Sequence, residues 1–481
     1  MIASPLLQNL SGYINGRWVG ASTSEKIDVF NPATGDLLAR VPNMAADETT
    51  AAVEAASAAL DSPQSPDARA AWLMAIHDAL HREKQELARI ITLEQGKPLR
   101  ESVVEVEYSA QFFKFFASKI DALAPSPLPE KLRNAQWTVH HRPAGVVGLI
   151  TPWNFPLAML AKKFAPALAA GCAIVAKPAD LTPLTAIALW HLLDQLSLPA
   201  GVANLVIGRP APVGDVLCAH PAVRLISFTG STEVGRLLMR NSAPFVKRLS
   251  LELGGNAPFI VMDDADIPAA VDALMLNKFR CAGQTCVCAN RILVQSIVAD
   301  AFAAEISKRV AKLRVGNGIE PGTDIGPLIN QAAVEKVKRH VDDALRRGAT
   351  KPADAPVDPS IAAGGTFYPP TVLDKLPADA VMLQEETFGP IIAIRRFETE
   401  ADGISLANNT IYGLAAYLFT TDTQRIDRMT RRLRFGHLGI NTATGPAAEA
   451  PFGGMKQSGF GREGGIEGLM EFCEPQTVVT A

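Results

Sequence analysis

The stretch from Gly145 to Asp180 reads GVVGLITPWNFPLAMLAKKFAPALAAGCAIVAKPAD. Two short apolar runs, VVGLI and CAIVAKP, flank a longer apolar segment that starts near Pro156. A strand buried on both faces of a parallel sheet reads as such a continuous run, not as an alternation. The pattern continues to residue 255. ANLVIG, RLISFTG and RLSLELGG are further strand candidates, and helices are expected to begin near Pro156, Thr182, Gly214 and Ser231. Strands alternating with helices imply a parallel sheet covered on both faces. The run from Ala144 to Lys177 is broken by Pro152, Trp153, Asn154, Pro156, Lys162, Lys163 and Pro166. A membrane span needs about 20 predominantly apolar residues, so this run is expected to form buried strands and a helix.

Upstream, DETTAAVEAASAAL predicts a helix over 47–60 capped by Asp47. Apolar residues at helical spacing (Leu73, Ile76, Leu80, Leu87, Ile90, Ile91) predict one helix from Ser65 to Gln95, ended by Gly96 and Pro98. A third helix is expected over about 101–120. The segment from Ala124 to Pro129 is a proline-rich connector, and QWTVHHRPAGVVGLI follows as two extended runs. Downstream, a second αβ region is expected from about 256 to 440. It contains PFIVM, RILVQ, a helix over 299–313, PTVLD, IIAIRRF and AAYLFT. The tail, EFCEPQTVVT, reads as a strand with no later partner. It pairs either with the 136–150 ribbon or with another subunit.

With 481 residues, the chain exceeds the roughly 250–300 residues that one core usually serves. Hydrophobic residues make up 48% and charged residues 20%, as in an ordinary soluble globular protein. A formal net charge of −3 gives no electrostatic reason to expect nucleic acid or an anionic membrane as partner. The start, MIASPLLQNLSGYINGRWVG, has neither a basic n-region nor a long apolar h-region, so no signal peptide is expected. Six cysteines in so long a chain do not make a disulfide framework, and the expected location is the reducing cytoplasm.

Cys281, Cys286 and Cys288 lie together in FRCAGQTCVCANR. Each could be a small buried hydrophobe. Zinc is disfavoured, because no histidine lies nearby and no second CxxC pair exists. A nucleophile in a glycine-containing loop before the strand RILVQ is the sharper reading. Glu252, in LELGGNAPF, is flanked by two leucines at a strand end. It reads either as a strand end meeting solvent or as a general base whose pKa desolvation raises. FTGSTEVG, from Phe228 to Gly235, joins a strand to a helix. It suits a phosphate at the helix N-terminus, or is a plain turn, and its spacing is neither GxGxxG nor a P-loop. Lys177 and Asp180 in VAKPAD follow another strand. They suit ribose hydroxyls beyond the sheet's carboxyl edge, or form a solvated loop. Asn154, in the stiff loop ITPWNFP, offers an amide as a fixed oxyanion donor or stabilises a turn.

The joint order of these segments says more than any one of them. ITPWNFP, KPAD, FTGSTEVG, LELGGN, GQTC, EETFGP and PFGGMKQSGFGREG, spread from about Tyr13 to the C-terminus, resemble the motifs of the aldehyde dehydrogenase superfamily. The succinate-semialdehyde dehydrogenase-like group is the nearest in flavour. The resemblance implies an α/β fold with a Rossmann-like NAD(P)-binding domain over 1–122 and 145–254 and an αβ catalytic domain over 255–460. A β-ribbon oligomerisation arm over 123–144 and 461–481 would make a homodimer or homotetramer. It implies Cys286 as nucleophile, Glu252 as deacylation base and Asn154, with the Cys286 backbone N–H, as oxyanion donor. Lys177 would meet the adenosine ribose, Gly230 and Ser231 the pyrophosphate, and Glu386 and Phe388 the nicotinamide ribose. Thr151, Pro152, Trp153, Phe228 and Leu253 would complete the cofactor site.

Asp180 stands where family members with a carboxylate tend to use NAD, so NAD is expected to be preferred, with NADP tolerated. The substrate is expected to be a small aldehyde, succinic semialdehyde first, with its tail on Arg280 and Ser458. Lys162 stands where that group has a second arginine, which leaves glutaric, 2-oxoglutaric and hydroxylated short aldehydes open. Cys288 resembles the partner cysteine of a reversible disulfide with Cys286. The competing readings are a CoA-acylating relative, against which Glu252 argues, and a non-catalytic use of the fold.

Overall fold

In the computed structural model, which describes residues 2–129, 133–362 and 364–481, two open sheets carry the fold. The first runs, in spatial order, Gly459–Phe460, Arg248–Glu252, Val223–Thr229, Val146–Ile150, Ala173–Lys177, Ala203–Leu205, Gly12–Ile14 and Arg17–Val19. Its five central strands are mutually parallel, and the edge strands pair antiparallel. Chain order reverses between Val146–Ile150 and Val223–Thr229, which lie side by side. That reversal opens a crevice beyond the carboxyl ends of the two strands, where doubly wound sheets bind ligands. ITPWN and FTGS both emerge there.

The helix Ala158–Ala170 packs under this crevice with every residue buried, including Lys162 and Lys163. The apolar run of the sequence is therefore spent on strands and one sheathed helix, as expected. No helix among the described residues is long and apolar enough to cross a membrane.

The second sheet runs Thr350–Asp354, Thr371–Asp374, Ile391–Phe397, Ala289–Gln295, Ala257–Val261, Ala415–Phe419 and His437–Ile440. All but the first strand are parallel. It has its own core, centred on Phe259, Ile292, Val294 and Ile392. The C-terminal strand Cys473–Thr480 pairs antiparallel along its whole length with Gln136–Pro143, from Cys473 opposite Pro143 to Thr480 opposite Gln136. Of the two partners open to the tail, the ribbon is the one it takes. Glu130–Leu132 of the expected arm lie outside the described residues.

Two helix expectations need correction. Asp47 is not the cap: the helix is Ala46–Ala59, and the Glu48 carboxylate turns back to accept from Ala45 N. The single helix predicted from Ser65 to Gln95 is two, Pro66–Arg82 and Lys84–Gln95. Glu83, between them, leaves helical geometry at φ −95°, ψ 14°. Apolar periodicity survives such a break, because both helices turn the same face to the core.

Candidate active site

The site is a cavity of about 1010 Å³ at the crevice between the two sheets. Pro152, Trp153, Asn154, Gly230, Ser231 and Leu253 line it from the first sheet. Arg280, Cys286, Glu386 and Phe388 line it from the second, and Lys162 from the buried helix below. Residues from Pro152 to Phe388 thus meet in one space.

Cys286 follows a loop of unusual backbone. Cys281 and Ala282 both take left-handed conformations, at φ 53° and 54°, which cost on the order of 1–3 kcal/mol each in non-glycine residues. The loop is held by hydrogen bonds. Gln284 Nε2 donates to Cys281 O, and Gln284 Oε1 accepts from Ile329 N. Asn154 Nδ2 donates to Gln284 O at 2.8 Å, so the amide lies beside the Cys286 loop, with its other N–H unpartnered among the described residues. Burial pushes the Cys286 thiol up to about 12; Lys162 opposes that, while Glu386, Glu252 and Glu463 reinforce it.

Glu252 ends the strand Arg248–Glu252, one place from the crevice, and is buried. Neither of its carboxylate oxygens has a hydrogen-bond partner among the described residues. Burial first, then the charge of Glu463, raises its pKa well above the carboxylate range; Lys163 and Lys162 act the other way. Glu386 accepts from Gly255 N at 3.2 Å, and burial lifts its carboxyl to about 7. Phe388, left-handed at φ 57°, sets its ring edge-on to Trp153 at 5.7 Å.

At the sheet's carboxyl edge, Ser231 caps the helix Thr232–Ser242 through Val234 N. A Cβ on Gly230 would lie 2.3 Å from Cζ of the Phe228 ring, so a side chain here would displace that ring. Thr151 Oγ1 and Thr229 Oγ1 are buried there without partners among the described residues. Lys177 ends the next strand. Its Nζ donates to Pro178 O, and burial pushes it down to about 8 against the pull of Asp180.

With this geometry, comparison with known proteins is direct. The model of the aldehyde dehydrogenase family matches residues 18–478. The chain belongs to the aldehyde dehydrogenase family. It is 47% identical over 463 residues to the succinate-semialdehyde dehydrogenase [NADP(+)] GabD of Escherichia coli, covering 96% of this chain and 95% of that one. It is 45% identical over 464 residues to a glutarate-semialdehyde dehydrogenase of Pseudomonas aeruginosa, covering 96% and 95%. A crystal structure of an oxidoreductase from Marinobacter aquaeolei superposes with a TM-score of 0.97 at 52% identity, over 100% of both chains.

Within this aldehyde dehydrogenase, several predicted residues stand apart from the cavity. Thr151, Lys177, Asp180 and Phe228 lie along the sheet edge beside it, and Glu252 lies behind its wall. Cys288 is buried, with its thiol set between Lys278 O at 3.8 Å and Ala289 O at 3.7 Å rather than facing the cavity. The expectation for Ser458 is corrected. Its hydroxyl donates to Gly254 O at 2.7 Å and accepts from Gly413 N at 2.9 Å, and none of it is exposed. Ser458 ties two backbone segments together and does not line the cavity.

Thr444, Gly445 and Pro446 do line it, beside Arg280: a Cβ on Gly445 would lie 3.6 Å from both terminal guanidinium nitrogens. That wall carries no charged or reactive side chain for a reading of the sequence to find. A buried triad was also missed. Lys163 and Lys162 both pair with Glu463, the latter at 3.6 Å. Burial pushes the Glu463 carboxyl up, but the two lysines outweigh it and hold it below the carboxylate range.

Proposed function

We propose that this enzyme oxidises a short aldehyde with an anionic tail, succinic semialdehyde first, to its carboxylate with NAD(P)+. One observation carries the substrate half. Arg280 faces the cavity, its Nε is buried without a partner, and it makes no ion pair among the described residues. A guanidinium left unpaired in a pocket is suited to a two-point grip on a carboxylate. Lys162 adds a second positive charge from the buried helix below, ringed by Tyr108, Phe112 and Phe452 at 5–6 Å. Lysine is a point charge without a fork, which favours keeping the five-carbon glutaric semialdehyde as a second substrate. The names of the two relatives above fit both. A panel of kcat/KM values over succinic, glutaric, 2-oxoglutaric, lactic and plain aliphatic aldehydes tests this. A preference for uncharged aldehydes overturns it.

The chemistry follows from the residues. Cys286 gives its thiol proton to solvent and Sγ attacks the aldehyde carbon, the C=O electron pair becoming an oxyanion stabilised by the second Asn154 N–H and the Cys286 backbone N–H. Gly230 and Ser231 would hold the pyrophosphate of NAD(P)+ and Glu386 and Phe388 its nicotinamide ribose, and the cofactor would supply the hydride acceptor that oxidation of the Cys286 adduct to a thioester requires. Glu252 then takes a proton from water, which attacks the thioester and frees the acid. The glutamate favours water over CoA as acyl acceptor. An assay of products with and without CoA checks that choice.

A base must be deprotonated to act, and the pKa of Glu252 is raised. Thioester hydrolysis is therefore expected to go on climbing with pH beyond about pH 5–6, where an ordinary glutamate would already have levelled off. Glu463→Gln removes the nearby negative charge and leaves Lys163 and Lys162 free to stabilise the Glu252 carboxylate, so the climb moves to lower pH. Breaking a buried pair costs about 3–5 kcal/mol, so the profile is taken well below the melting temperature. Stopped-flow hydrolysis of the preformed acyl-enzyme is the measurement, since no free Cys286 thiol titrates in it. An unmoved profile overturns the assignment.

For the cofactor, NAD is the preferred partner and NADP the tolerated one. Asp180 favours a ribose 2′-hydroxyl and repels a 2′-phosphate, but Arg209 Nη1 lies 3.3 Å from its carboxylate and offsets the repulsion. Arg209→Ala is expected to lower kcat/KM for NADP about tenfold and to change NAD less than twofold. Equal changes on both cofactors refute the pairing's role.

The ribbon Gln136–Pro143 with its C-terminal partner strand is the proposed oligomerisation arm, and the cytoplasm the proposed location, supported by six free cysteines.

A further inference from the structure

The link between the helices Lys84–Gln95 and Leu99–Ala117 reaches the active site from behind, and the mechanism above does not use it. Lys97 within it has a fully buried side chain. Its Nζ donates to Glu105 Oε2 at 2.6 Å and to Asn154 O at 2.7 Å, and lies 3.6 Å from the centroid of the Phe155 ring. The other oxygen of Glu105 accepts from Leu157 N and Ala158 N, where the buried helix begins. One ammonium and one carboxylate thus pin residues 154, 155, 157 and 158. The contacts are the Asn154 carbonyl, the Phe155 ring and the Leu157 and Ala158 N–H groups, on both sides of the loop presenting the Asn154 amide.

The same segment also holds the opposite wall. Gln95 Nε2 contacts Cys281 Sγ at 3.1 Å, Gln95 Oε1 accepts from Lys97 N, and Glu101 Oε2 accepts from Cys281 N at 2.7 Å. Cys281 is one of the two left-handed residues before the nucleophile. Residues 95–105 therefore bridge the amide loop and the nucleophile loop with buried polar contacts.

A buried ion pair adds little net stability over an apolar pair of the same volume. Its hydrogen bonds do fix direction. A shift of about 1 Å in a positioning contact can cost about a hundredfold in rate.

We infer that Lys97 and Glu105 are positioning residues for the oxyanion amide, holding the 154–158 segment so that Asn154 Nδ2 donates to the oxyanion on the carbon bonded to Cys286. The inference rests on Asn154 being the oxyanion donor, and the test separates the two. The acylation rate is read from the pre-steady-state burst of NADH, and cofactor affinity from NADH fluorescence titration. Lys97→Met is expected to slow acylation by about tenfold to a hundredfold, with the KM for aldehyde and the Kd for NADH within about twofold. Lys97→Arg restores part of the rate.

In an Asn154→Ala background, Lys97→Met is expected to add less than about threefold, because it acts through the residue already removed. The inference is overturned if Lys97→Met acylates at the wild-type rate, or if its full effect persists without Asn154. Normal acylation by Asn154→Ala alone overturns the oxyanion reading instead, and this inference with it. Should Lys97→Met yield no folded enzyme, Glu105→Gln serves. It keeps an oxygen for Leu157 N and Ala158 N but removes the charge that draws Lys97, and the same cycle with Asn154→Ala decides.

Discussion

Cys286→Ala is expected to abolish NADH formation, with a loss of at least about 10⁵-fold in kcat, because no other nucleophile can replace the thiol. The neighbouring cysteines are both committed elsewhere. Cys281 Sγ packs between Gln95 Nε2 and Asn154 O, and burial pushes its thiol up to about 12. Cys288 faces Lys278 O and Ala289 O. Truncation of Cys281 is expected to be milder, acting through its loop and not through bond formation. Glu252→Gln separates the two halves of the cycle. Its acylation machinery is intact, so the first turnover should give a burst of up to one NADH per site, followed by a slow steady rate. Rapid mixing with succinic semialdehyde measures both. Near-normal turnover by Cys286→Ala defeats the thioester mechanism. A steady state without a burst, at the wild-type rate, defeats the role of Glu252 alone.

Much of this arrangement is legible in the sequence, for a local reason. Val146–Ile150, Ala173–Lys177 and Val223–Thr229 are buried strands of a parallel sheet, so each is a compact apolar run. The loops after them must open at the sheet's carboxyl edge, which puts Asn154, Lys177 and Gly230 near one crevice. Cys286 and Glu252 have side chains able to act as nucleophile and base, so their motifs single them out as candidates.

What stayed hidden is set by contacts between distant segments. Lys163 and Glu463 stand 300 residues apart, and Lys97 and Asn154 stand 57 apart. Nothing local marks either pair. Ser458 misled for the converse reason: a polar residue in a motif looks functional, yet its hydroxyl serves Gly254 O and Gly413 N. The break at Glu83 has no glycine or proline to signal it, and only the packing of two helices onto one core decides it.

Arg280→Ala is expected to reduce kcat/KM for succinic semialdehyde by about 10²- to 10³-fold, as the loss of a charge-assisted, two-point contact predicts. The effect on butyraldehyde, of equal length and without charge, should stay within about threefold. That contrast follows from where Arg280 sits. Its guanidinium lies 5.3 Å from the centroid of the Phe155 ring and beside Gly445, with no carboxylate partner among the described residues. Removing it breaks no ion pair, so the fold loses little and the charged substrate loses its anchor. The bulk of Phe155, Phe452 and Val287 remains to hold an apolar chain. Arg280→Lys keeps the charge but not the fork, and is expected to recover roughly a tenth of the activity. Added salt should weaken the wild type on the charged aldehyde more than on butyraldehyde, since charge attraction is screened. Kinetics on the two aldehydes, for wild type and both variants, is the measurement. Equal loss on both substrates would make Arg280 a structural residue of the loop before Cys286, and the tail would need another partner, with Lys162 the next cation on the cavity wall.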